Sequence, residues 1–154
     1  MQIPVLGATS LSSVQATWSA LTGNDNGGSA IDSYRLETDG GVPGDPFAMV
    51  QGASGSYSTA LSYSTASSAG AIHQFRVSAH NVHGWGAVSS VLSIQAAAVP
   101  GTPTQVVTSI INRSARIAWS APSTNYKTIT KYQIEIKNLA TSTPSAGTYH
   151  TELT

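Results

Sequence analysis

The 154-residue chain contains no cysteine. Disulfides and thiolate metal sites are therefore excluded, although that absence alone does not fix a compartment. Charge is nearly as scarce. Asp, Glu, Lys and Arg make up 9% of the residues, and seven acidic side chains balance seven basic ones. A chain this neutral has no electrostatic footprint for nucleic acid or for an anionic membrane surface. No stretch approaches the roughly 18 consecutive apolar residues that suggest a membrane span. Met1-Gln2-Ile3-Pro4 lacks the basic and apolar regions of a signal peptide, so a secreted form is expected to carry its targeting segment elsewhere.

Hydroxyl groups are what the chain has in quantity. It holds 23 serines and 17 threonines, with 40% hydrophobic residues overall. So many short hydroxyl side chains, with so few Lys and Glu, argue against long surface helices. They suit strands, turns and a solvated or O-glycosylated exterior. The length allows one ordinary domain or two small ones.

Two stretches organise the rest. Val14-Gln15-Ala16-Thr17-Trp18 alternates apolar and polar residues and is followed, sixteen residues after the Trp, by Tyr34-Arg35-Leu36-Glu37. The unit returns as Ala115 to Ala121, centred on Trp119, followed by Ile129 to Glu135 with Tyr132 and Ile134. Period-2 alternation is the mark of a half-buried strand.

Read in order, Ile3 to Leu6 enters as a strand, with Pro4 suited to an edge. Val14 to Trp18 is the second. Gly23 to Ser29 is a turn cluster, and Tyr34 with Leu36 opens a third strand. Phe47 to Val50 is a short strand after a Gly/Pro loop. The Ser/Ala/Gly-rich residues 51–71 suggest a weak strand near 56–61 and a loop after it. Ile72 to Asn81 is the clearest strand, with His73, Phe75, Val77, Ala79 and Asn81 on one face. Val82 to Gly86 reads as a turn and Val88 to Ile94 as a closing strand. About seven short strands with no helical periodicity predict an all-β, antiparallel two-sheet sandwich. Pro100-Gly101-Thr102-Pro103 marks a boundary, giving a first module over 1–98, a linker over 99–103 and a second copy from 104 to 154. The second copy is expected to place Val106, Val107, Ile110 and Ile111 on its first strand. Ile117 and Trp119 fall on its second, and Tyr132, Ile134 and Ile136 on its third. Thr148 to Leu153 is a candidate fourth.

These residues resemble the fibronectin type III family, an immunoglobulin-like sandwich. Trp18 and Trp119 are similar to the family's core Trp, and Ile31-x-x-Tyr34-x-Leu36 and Ile129-x-x-Tyr132-x-Ile134 to its third strand. The run Phe75-Arg76-Val77-Ser78-Ala79-His80-Asn81-Val82-His83-Gly84 resembles its sixth. The resemblance covers one near-complete module and the first half of another. It implies a core of Trp18, Tyr34, Leu36, Phe75, Val77 and Ala79, with Trp119, Tyr132 and Ile134 as counterparts. Where the family has a Tyr two residues before that Phe, this chain has His73, which could donate a similar hydrogen bond. The second copy lacks counterparts of the residues after about Gln51, so its apolar side chains are expected to face water. Further sequence in cis, or a neighbouring copy in trans, would cover them.

Chemistry-bearing patterns are sparse. His80-x-x-His83 would need a turn between its members to share a metal. There is no Gly-x-Ser-x-Gly elbow, and Asn24-Asp25-Asn26-Gly27 lacks the flanking Asp and final Glu of a calcium loop. The Gly pairs precede strands, so they do not cradle phosphate. No cofactor, metal or catalytic residue is expected. Arg35, Glu37 and Arg76 should share an outward face as an exposed ion pair. Trp85, beside His83 in a turn, is the candidate contact to the linker or next module, with ligand or carbohydrate contact second. Asn112-Arg113-Ser114 is the single N-glycosylation sequon. The resulting expectation is a non-enzymatic structural or adhesive repeat of an extracellular or cell-surface protein, contacting neighbouring modules or copies of itself. A fibre subunit is its extension. The alternatives are an accessory module of a secreted carbohydrate-active enzyme and a ligand-binding module of a surface receptor.

Overall fold

The computed structural model describes residues 4–137 and 149–153, with side chains up to residue 134. Ile3, Thr148 and the Ile136 side chain, named above, lie outside that description. The first eight strands are β1 (Val5–Thr9), β2 (Ser13–Thr17), β3 (Ser33–Thr38), β4 (Ala48–Gln51), β5 (Ser62–Ala66), β6 (Ile72–Asn81), β7 (Gly84–Trp85) and β8 (Leu92–Gln95). They form two antiparallel sheets. One runs β1-β2-β5. The other runs β4-β3-β6, with β7 and β8 both paired to the far edge of β6.

The alternation read from sequence decides which side chains enter. Val14, Ala16 and Trp18 point inward from the first sheet. Tyr34, Leu36, Phe75, Val77, Ala79 and Ile94 meet them from the second. Burying each large member contributes roughly 1.5–3 kcal/mol, which makes this layer the main source of stability. Trp18 and Tyr34 touch at 6.4 Å between ring centres, tilted 58°. The Tyr34 hydroxyl accepts the Leu21 N–H at 2.8 Å, so the ring also fixes the turn leaving Trp18.

Three local expectations are corrected. Residues 56–61 are not a strand. They cross beside β3 through two hydrogen bonds at Ser58, Tyr34 N–H to Ser58 O at 2.7 Å and Ser58 N–H to Ser33 Oγ at 3.1 Å, and the strand forms later, at Ser62–Ala66. There Tyr63 and Thr65 turn partly inward between exposed Ser62, Ser64 and Ala66. Small hydroxyl residues carry the alternation, which is why hydrophobicity missed it. The closing strand is Leu92–Gln95, not 88–94, because Ser89 is drawn out of line. Its hydroxyl accepts the Val77 N–H at 3.1 Å, and its own N–H donates to Val77 O. Gly84–Trp85, expected as turn, pairs with Asn81 and His80 of β6. The Gly23–Asn26 turn closes as a single 3₁₀ turn ended by Gly27.

His73 does take the corner position. It is buried, stacks 9° from parallel with Phe75, and shares a 2.8 Å hydrogen bond between Nε2 and Ser67 Oγ. Ser67 Oγ also lies 3.2 Å from Ser68 O. Nδ1 of His73 is buried with no partner among the described residues. At the end of β3, buried Asp39 accepts the N–H groups of Gly41 (2.9 Å) and Gln74 (2.8 Å) through Oδ1, tying that strand to β6.

Beyond Pro103, β9 (Thr104–Ile111) and β10 (Ser114–Ser120) form a hairpin, and β11 (Gln133–Lys137) pairs with β12 (Tyr149–Leu153). Trp119 and Tyr132 touch at 5.4 Å, tilted 59°, repeating the Trp18–Tyr34 contact. Trp119, Tyr132 and Ile134 are half-buried, whereas Trp18, Tyr34 and Leu36 are buried. All eight residues of β9 are exposed, Ile110 at 84%.

Candidate functional site

The outer face of the larger sheet carries a continuous ladder. In the β3–β6 register, Glu37 stands opposite Arg76 and Arg35 opposite Ser78. Arg76 Nε donates to Glu37 Oε2 at 2.6 Å, and Arg35 Nε lies 3.6 Å from Glu37 Oε1. Each guanidinium also caps a ring. Arg76 sits 4.3 Å from the centre of Phe47, and Arg35 4.7 Å from the centre of Trp85. Trp85 continues to His80 (4.8 Å) and His80 to Tyr57 (4.9 Å). His80 Nδ1–H donates to Asp32 at 2.7 Å. The expected Arg35/Glu37/Arg76 group is therefore present, with Glu37 only 15% exposed. Cation–ring contacts of this kind gain strength as solvent is removed.

Trp85 contacts Arg35, His80 and Tyr57, all in the first sandwich. Those ring contacts hold it on the flank of β6. Its sequence neighbourhood of Gly and His gives no warning of this. The signal lies across the sheet, in Arg35. His83 shares a 3.2 Å hydrogen bond with Ser29 Oγ and is separated from the His80 ladder. The two histidines have different partners, and no group of three or more His, Asp or Glu among the described residues is arranged to hold a metal. A shallow groove of about 380 Å³ runs beside His83, Asp25 and Trp85. Asn81 spans its floor, donating to Asn26 O at 2.8 Å and accepting the His83 N–H at 2.9 Å.

The second feature is a joint between the sandwich and the segment after it. The turn between β10 and β11 folds back on the linker. Asn125 Nδ2 donates to Val99 O at 2.7 Å, and Asn125 O accepts the Ala98 N–H at 3.3 Å. Gly101 N–H donates to Ser123 O at 2.9 Å. Asn125 and Tyr126 both have positive φ, 48° and 69°, and Lys127 N–H closes the turn on Thr124 O. That backbone swings the Tyr126 ring onto Gly70, where a Cβ would run into Cδ1 and Cε1. Only glycine leaves room for this approach. Gly70 is anchored in turn: its N–H donates to Ala96 O at 2.8 Å. Sequence reading singled out neither Asn125 nor Tyr126. Asn tolerates the left-handed region, whereas a Tyr there has no sequence mark.

Asn112 and Arg113 occupy the two-residue turn of the β9–β10 hairpin, with φ of 48° and 71°. Both are exposed. Among the described residues no helix is long and apolar enough to cross a membrane.

No family model matches the chain, and no curated protein matches it. Solved structures do. The chain is similar to the fourth fibronectin type III domain of a human protein, at 24% identity and a TM-score of 0.51, over 65% of this chain and 79% of that one. It is similar to the sixth such domain of human fibronectin type III domain containing protein 3, at 28% identity and a TM-score of 0.47, over 59% and 77%. It is also similar to the FN1–FN3 domains of chicken CNTN1, at 19% identity and a TM-score of 0.51. That match covers 97% of this chain and 51% of the other, so the chain spans about half the length of that fragment. The two-sheet order and these likenesses agree: the chain has the fibronectin type III fold.

Proposed function

We propose that the chain is a non-catalytic spacer and adhesive segment of an extracellular or cell-surface protein, in which successive modules are held at a set angle. In this reading residues 1–98 are one module, 99–103 the linker, and 104–154 the beginning of a second. Its half-buried Trp119, Tyr132 and Ile134 and its exposed β9 are covered by further polypeptide, in cis or from a neighbouring copy. The carrying observation is the Asn125 clamp. A hydrogen-bonded turn on a Pro-containing linker removes freedom that a passive tether would keep.

Small-angle scattering tests it. The chain should show one narrow distribution of particle dimensions, and the double variant Asn125→Ala/Tyr126→Ala a broader, more extended one. An equally broad distribution in the unaltered chain would refute the set angle. Filament formation is the extension of this reading. Negative-stain images of native material showing only dispersed particles would defeat it.

A further inference from the structure

We infer that Asn112 carries an N-linked glycan, an inference that rests on the extracellular reading above. The sequon Asn112-Arg113-Ser114 lies at the apex of the β9–β10 hairpin, where Ile111 and Ser114 form the closing pair. Positive φ at Asn112 and Arg113 is the backbone of a two-residue mirror-image turn, in which both side chains stand clear of the strands. Asn112 is exposed, and its amide has no hydrogen-bond partner among the described residues. Asn26, Asn81 and Asn125, by contrast, are committed to turns or to the linker. The turn can therefore accept a bulky substituent without displacing any packed group.

The step is a transfer from a polyprenyl-pyrophosphate oligosaccharide. Asn112 Nδ2 bonds to the anomeric carbon, the carbon–oxygen bond to pyrophosphate breaks, the amide loses one proton and the lipid pyrophosphate leaves.

The position carries a further meaning. The turn between β1 and β2 borders the joint. Thr9 and Lys127 line one cleft there, and Ser67 N–H donates to Ser12 O close to Gly70. The β9–β10 turn is its counterpart, about 25 Å along the hairpin from the linker. In a continuing array the glycan stands beside the next joint.

The test is mass spectrometry on protein taken from its source cells, together with surface labelling of those cells. The peptide containing Asn112 should carry a hexosamine-cored glycan, and amidase release in heavy-oxygen water should leave labelled aspartate at 112. Asn112→Gln and Ser114→Ala should each abolish the modification completely, and Ser114→Thr should retain it. Unmodified Asn112 in surface-labelled protein would overturn the inference and leave the extracellular reading standing. Unmodified Asn112 in protein confined to the cell interior would overturn both.

Discussion

Arg76 and Glu37 face each other across β6 and β3, with Nε 2.6 Å from Oε2 and the guanidinium resting on Phe47. An exposed ion pair contributes little, because water competes for both partners. Here Glu37 is 15% exposed and the arginine is held from two sides. A double-mutant cycle with Glu37→Gln and Arg76→Gln, read by urea unfolding, should give a coupling of about 1 kcal/mol. A coupling indistinguishable from zero would mean that the ladder is only geometry.

Gly52 has φ of 75°, and a side chain there would strike the Tyr34 carbonyl in the neighbouring strand. Backbone cannot yield as a flexible side chain can. Gly52→Ala should cost more than about 2 kcal/mol, seen as a lower urea midpoint with the slope unchanged. A loss below about 0.5 kcal/mol would show that β3 and β4 separate easily.

Trp85→Ala should destabilise the sandwich by about 1–2 kcal/mol, because it uncovers Arg35 and removes the ring between it and His80. Particle dimensions should not change, since its ring contacts stay within the sandwich. The opposite pattern, normal stability with altered scattering, would support the expectation that Trp85 meets the linker or the next module.

Arg113 holds φ of 71° in the β9–β10 turn, a region costly for a residue with a Cβ. Arg113→Gly relieves that strain and keeps the sequon. Hydrogen exchange in β9 and β10 should slow by a factor of about five, corresponding to roughly 1 kcal/mol. Faster exchange would show that the arginine side chain supports the hairpin.

The sequence revealed most of the first sandwich because its core is built from single-residue alternation. Val14, Ala16 and Trp18, and then Phe75, Val77 and Ala79, are buried where their spacing put them. It was silent where register depends on short polar residues. β5 is aligned by Tyr63 and Thr65, whose neighbours Ser62 and Ser64 look like loop. The site was less legible still. Arg35 and Trp85 are fifty residues apart and meet only once β3, β6 and β7 are paired. Asn125 and Tyr126 act through backbone shape, which composition does not record. His73 could be read from sequence as a hydrogen-bonding substitute, but its partner Ser67 lay in a serine-rich stretch with no distinguishing mark.

The ladder on the larger sheet also bears on the proposed contact between copies. Its two guanidiniums share one carboxylate and lie against rings, so the charges of that flank are held within the sheet. A run of exposed apolar side chains lies elsewhere, on β9, at Val106, Val107, Ile110 and Ile111. If the filament extension of the proposed function holds, contact through β9 leaves this flank as the outer surface of a thread.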